Sequence, residues 1–137
     1  MYLSGLKAVS PAVRQYPRVA DILALQQQTA ETVTGSKKRS ASSGSYTPEE
    51  LTYIRSVYER LDQDCSRTLT DLDAVTTPGK LEMKDDERLK RIDQLFADSQ
   101  SQYRFAQSFS SDLSVMTVQK AAEQREINNQ KIINGIK

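Results

Sequence analysis

Apolar residues return every three or four positions over long stretches of this chain, the repeat of helices that bury one side. The cleanest run is Leu51, Ile54, Val57/Tyr58, Leu61, Cys65, Leu69, Leu72 and Val75, which predicts a helix over about 48–75. A second run, Leu89, Ile92, Phe96, Tyr103, Ala106, Phe109, Leu113 and Met116, predicts a helix from near Asp85. No proline follows Pro78 and the next glycine is Gly135, so this helix is placed over about 85–130. Helix propensity dips at 108–112 and at 115–118, the places where it would bend. Upstream, Tyr16, Val19, Leu23, Ala30 and Val33 share a stripe flanked by Ile22 and Leu25, within a helix over about 12–40. Pro17 either interrupts that helix or starts it afresh, and Gly35 is a candidate early end. No segment alternates in the manner of a strand. The fold class expected is all-α: a single helical domain over 1–137, an antiparallel three-helix bundle with long helices, the last one extended toward the C-terminus.

Local signals set the ends. Thr47-Pro48-Glu49-Glu50 reads as an N-terminus, with Thr47 as cap, Pro48 at the first helical position and Glu50 as capping-box partner. Ser10-Pro11 also fits the start of a helix, with serine as cap and proline at the first turn. Thr76-Thr77-Pro78-Gly79 ends the second helix, because Pro78 pushes the residue before it out of helical backbone. Asp85-Asp86-Glu87 suits the positive start of the third helix. Arg55/Glu59, Arg60/Asp64, Arg67/Asp71, Asp86/Lys90 and Glu87/Arg91 are spaced for ion pairs along helix surfaces. Loops are expected over 41–47 and 76–84. Residues 121–137 form a polar tail with isoleucines at 127, 132, 133 and 136, read as a partly ordered terminus or an apolar edge for a partner.

Composition then removes whole classes of chemistry. The chain has no histidine, so the commonest general base and metal ligand are missing. Its single cysteine, Cys65, cannot form an intrachain disulfide and reads as a small apolar residue on a packed helix face. Asp62-Gln63-Asp64-Cys65-Ser66-Arg67, with Asp73 at the twelfth place, imitates a calcium loop. Arg67 stands where the loop needs glycine, and helical spacing runs straight through, so no calcium site is expected. No phosphate loop, nucleophile elbow or metal pair is present, and a thin bundle encloses little space for paired carboxylates. No catalytic residue, cofactor or metal is assigned. The net charge of +1 disfavours a nucleic-acid partner; the basic triplet Lys37-Lys38-Arg39 is read first as a wet helix end. Tyr46, Tyr53, Tyr58, Tyr103, Phe105 and Phe109 cluster around the two long helices. They are core by default and contact anchors where the seam leaves them outside.

Three stretches carry a resemblance: Tyr46-Thr47-Pro48-Glu49-Glu50-Leu51, Thr76-Thr77-Pro78-Gly79-Lys80-Leu81-Glu82-Met83, and Asp85-Asp86-Glu87-Arg88-Leu89 with Ile92-Asp93. Their order and spacing resemble the TraI-type accessory proteins of bacterial conjugative transposons, which are distinct from the relaxase of the same name. Residues 2–7 and Tyr16-Pro17-Arg18-Val19 are similar to proteins of the same group. The chain departs from that pattern at Lys84, where the group carries a serine, and at Ile133-Asn134-Gly135-Ile136, which replaces a Leu-Tyr-Gly-like ending. The resemblance implies a non-catalytic structural or adaptor component of a conjugative, type IV secretion-like apparatus, with other transfer-apparatus proteins as partners. It implies a periplasmic or envelope location if a leader precedes this chain, and a cytoplasmic one otherwise. Two alternatives stand beside it: a cytosolic helical regulatory or nucleic-acid-associated protein, and association with a second copy through leftover apolar stripe.

Overall fold

The computed structural model describes residues 9–135, and within them the protein is helical with no strand. Four helices follow in order: α1 (Pro11–Arg14), α2 (Pro17–Ser42), α3 (Pro48–Thr76) and α4 (Asp85–Gly135). Three of the four begin with proline at the first helical position, where its missing N–H costs nothing. The helix expected over 12–40 is therefore divided. Pro17 holds Tyr16 in extended backbone (φ −60°, ψ 124°) and α1 closes before it. Gly35 does not end α2, which continues to Ser42. The segment at residues 2–7 and Ile136 lie outside the described residues.

Thr47 caps α3 as its sequence predicts. Glu50 N donates to Thr47 Oγ1 at 3.1 Å, and Thr47 N donates to Glu50 Oε1 at 2.8 Å. Lys84 brings no capping side chain of its own to α4. Instead Glu87 reaches back and accepts from Lys84 N at 2.9 Å, which completes half of the same arrangement. The two loops turn on Gly44 (φ 71°) and Gly79 (φ 81°), left-handed positions that favour glycine.

Helices α2, α3 and α4 pack up-down-up, so α2 and α4 run parallel with α3 antiparallel to both. Side-chain bonds mark the register from one end to the other: Tyr16 to Asp93, Gln26 to Ser99, and Arg39 to Ser110. Buried positions step by three and four along each helix, as in a coiled coil. They are Ile22, Gln26, Thr29, Val33, Ser36 and Ser40 on α2. On α3 they are Ile54, Tyr58, Leu61, Thr68, Leu72 and Val75.

This seam differs from the predicted stripes. Leu23 is 51% exposed and Leu69 39%, while Gln26, Thr29, Thr68 and Ser99 lie inside. On α2 the buried face is rotated by about 70° from the apolar stripe, at 100° per residue. The reason is that the seam must keep one register through all three helices, and small or amide side chains satisfy it where each finds a hydrogen-bond partner. The predicted surface pairs at i,i+4 do not close either. Arg67 pairs with Asp64 one turn back, and Arg91 crosses from α4 to Asp71 on α3 at 2.7 Å.

The core falls into two apolar clusters. The lower one joins Val9 and Val13 to Ile22, Leu72, Val75, Ile92 and Leu95. The upper one joins Val33, Ile54, Tyr58, Leu61, Ala106 and Leu113. Between them lies a polar layer touching every helix of the bundle. Gln26 Nε2 donates to Ser99 Oγ at 3.0 Å and to Gln102 Oε1 at 2.7 Å, and Gln102 Nε2 donates to Thr68 Oγ1 at 2.9 Å.

Helix α4 shows no break at 108–112 or 115–118. Ser114 and Thr117 donate to the carbonyls of Ser110 and Leu113 one turn back, keeping their hydroxyls occupied inside the helix. At 51 residues it spans about 76 Å. From Ala122 onward every described residue is exposed, so its last turns project beyond the bundle without a neighbour. No described helix is long and apolar enough to cross a membrane.

Candidate functional site

The sequence assigned no catalytic or ligand-binding residue, so the site is sought where the bundle leaves apolar surface uncovered. The first half of α3 and the middle of α4 diverge enough to open a groove of about 520 Å³. Ile54, Phe109, Leu113 and Met116 form its floor, and Tyr46 and Tyr53 its walls. Glu49, Glu50 and Asp112 stand around it. A shallower hollow of about 370 Å³ continues down the same seam beside Val57 and Phe105.

The geometry follows from α3's start. Because the Thr47 cap fixes where α3 begins, Glu49, Glu50 and Tyr53 stand on its first two turns. Tyr46, just before the cap, reaches across to α4: its hydroxyl donates to Leu113 O at 2.8 Å and lies 2.8 Å from Thr117 Oγ1. Lys120 then locks the corner. Its Nζ is 2.8 Å from Glu50 Oε2 and 5.6 Å from the centre of the Tyr46 ring. The Lys120 ammonium, followed by the Thr47 backbone N–H, holds the Glu50 carboxyl below its ordinary range, and Glu50 in turn raises Lys120. Glu49 and Asp112 make no ion pair among the described residues, so the groove keeps a negative rim.

The aromatic residues divide as the seam dictates. Tyr58 is fully buried, donates to Ser36 Oγ at 2.6 Å, and meets Phe109 edge-on at 5.2 Å. Phe105 stacks on Phe109 at 5.9 Å with an interplanar angle of 7°. Tyr53 (63% exposed) and Met116 (43%) are left outside along the groove, and Phe105 (45%) along the neighbouring hollow. Scattered exposed apolar residues are ordinary; several along one groove mark an interaction surface. Sequence reasoning placed these residues among the contact anchors only as a group. The finer signal is register: Tyr53 precedes the seam residue Ile54 by one position, and Phe105 precedes Ala106 by one.

No family model, curated protein or solved structure matches this chain.

The other residues singled out in the sequence fall as follows. Asp62, Asp64 and Asp73 lie on the continuous helix α3, not on a loop. Asp73 instead binds Lys80 at 2.7 Å and accepts from Thr77 at 3.2 Å, bracing the turn after α3. Asp85, Asp86 and Glu87 occupy the first turn of α4. No group of three His, Cys, Asp or Glu side chains is placed to hold a metal ion among the described residues. Lys37, Lys38 and Arg39 lie near the end of α2, and Arg39 turns inward to Ser110 Oγ at 3.3 Å. Gly35 leaves the space it uses, since a β-carbon there would stand 3.0 Å from Arg39 Nη1.

Cys65 is half-buried against the upper cluster. Burial, then the nearby Asp62 and Asp64 carboxylates, push its thiol up to about 11. At pH 8 about one Cys65 in a thousand is therefore thiolate. A thiol-specific disulfide reagent at pH 8 will label native Cys65 about a hundredfold more slowly than the urea-unfolded chain. Equal rates in the two states would show that the native thiol is not held in this way.

Sequence reasoning missed one buried side chain outright. Arg88 has no exposed surface although it stands in the first turn of α4. Its guanidinium donates to the Val75 carbonyl at the end of α3, to Leu81 O at 2.6 Å and to Met83 O at 3.3 Å. It is a clamp between the negative end of α3, the following loop and α4. The available signal was its place on the seam, four residues before Ile92.

Proposed function

We propose that this protein is a non-catalytic helical structural or adaptor component of a conjugative, type IV secretion-like transfer apparatus, acting through the α3–α4 groove. The observation that carries the reading is this groove, an aromatic and apolar surface left open between α3 and α4 beside the upper cluster. Its aromatic walls and partly exposed methionine are the side-chain types that anchor protein contacts. The conjugative setting rests on the resemblance of the cap-and-turn segments around Thr47, Pro78 and Asp85. A periplasmic or envelope location belongs to the same proposal.

The test is capture from the detergent-solubilised envelope of donor cells. The wild-type protein is expected to retain identified products of transfer genes. Tyr53→Lys, a change at an exposed position, is expected to lose them and to lower transfer frequency by about tenfold or more, as loss of a contact anchor does. Wild-type transfer by the Tyr53→Lys strain, or retention of no transfer protein by the wild type, would overturn the proposal.

A further inference from the structure

The last turns of α4 are as unpartnered as the groove, and past Glu126 the only charged side chain among the described residues is the cation Lys131. Ile127, Ile132 and Ile133 are 46%, 62% and 62% exposed on a helix that has left the bundle. From Ile127 to the end of the chain the sequence contains Lys131 and Lys137 and no acidic residue. A solitary helical end of about 14 residues is marginal in water unless something covers it, and β-branched isoleucines are poor helix formers there. Lys131 precedes two adjacent isoleucines, so the segment presents one cation beside a branched apolar pair. The groove presents aromatic walls with Glu49 and Asp112 unpaired at its rim.

The two cannot meet within one molecule. Met116 forms part of the groove floor, and Ile133 lies 17 residues further along the same unbroken helix, about 25 Å away along its axis. A straight helix carries its own tail away from its own groove.

We propose that the α3–α4 groove receives the C-terminal segment of α4, with Lys131, Ile132 and Ile133, from a second copy of this chain. This assignment rests on the groove being a docking surface and names its occupant. The contact is between different surfaces of the two copies. Reciprocal exchange closes a dimer, and one-way exchange builds a longer row.

The test is sedimentation of the purified full chain at about 100 µM, a concentration that saturates a contact of micromolar Kd. The wild type is expected to run as a dimer or larger. The Ile132→Asn/Ile133→Asn variant and the Tyr53→Lys variant, both changed at exposed positions, are each expected to run as monomers that keep the bundle's cooperative thermal unfolding and lose at most the tail's share of the helical circular dichroism. Mixed together, they are expected to associate again, because one retains an intact groove and the other an intact tail. Raising salt from about 50 to 500 mM is expected to weaken the wild-type contact through screening of Lys131. A monomeric wild type, association that survives the isoleucine substitutions, or a mixture that stays monomeric would overturn the proposal. Because only the isolated chain is used, a monomer would leave the groove's capture of transfer proteins to be decided by the envelope experiment.

Discussion

Replacing Arg88 by methionine will destabilise the fold by about 3–5 kcal/mol, because three hydrogen bonds from a charged donor, each worth about 1.5–3 kcal/mol, are lost while the cost of burying that charge is relieved. Methionine preserves much of the side chain's bulk, so the loss isolates the guanidinium. That group serves three carbonyls, of Val75, Leu81 and Met83, with no carboxylate among its hydrogen-bond partners. Once it is gone the buried Val75 carbonyl is stranded, at a cost of about 1–3 kcal/mol, while the Leu81 and Met83 carbonyls, on less buried residues, turn to water. For a chain of this size the expected fall in melting temperature is about 10–20 °C, read from the far-ultraviolet circular dichroism. Arg88→Lys is expected to fall between, since one ammonium cannot span three acceptors in a fork. Backbone amides in the α3–α4 connection should also lose hydrogen-exchange protection in the methionine variant. A stability within about 1 kcal/mol of wild type would show that the carbonyls find other donors and that Arg88 is not a clamp.

The second large effect is expected at Tyr58. Its ring fills the upper cluster with no exposed surface and meets Phe109 edge-on. Tyr58→Ala will cost about 3–5 kcal/mol, the usual loss for a large aromatic removed from a core. Tyr58→Phe keeps the packing and removes only the bond to Ser36, itself 2% exposed. Its cost is expected at about 1–2 kcal/mol, mainly from the stranded serine hydroxyl. Adding Ser36→Ala to Tyr58→Phe should recover most of that loss, because neither partner is then left alone. Chemical denaturation of the four proteins measures the coupling directly. A Tyr58→Phe protein as stable as the wild type would show that the hydroxyl is satisfied elsewhere.

These two residues also show what could and could not be read from the chain. The ends of α3 were legible because Thr47, Pro48, Glu50 and Pro78 act within a few residues of themselves. The long α4 was legible from the lack of proline and glycine between Gly79 and Gly135. The face of each helix was less so. Leu23 and Leu69 appeared to belong inside because they are apolar, whereas Gln26, Thr68 and Ser99 lie in the seam because each meets a hydrogen-bond partner there. Partners distant in sequence leave no local trace. Arg88 was hidden for the same reason: its value depends on three carbonyls brought together only by the turn after α3. The groove is a further step removed, since it depends on how far two helices diverge after they have packed.

The glutamine layer fixes more than the neighbours it touches. Were α2 to slide one heptad along α4, Gln26 would face Ile92 and Leu95 in one direction, or Ala106 and Phe109 in the other. None of those side chains can answer an amide, so a slip of one heptad either way strands its hydrogen-bonding groups. The crosspiece thus works as an index mark: it sets where Gln26 of α2 and Thr68 of α3 stand against Ser99 and Gln102 of α4. A few uncharged side chains thereby give three long rods a single alignment that apolar packing alone would leave free to slip.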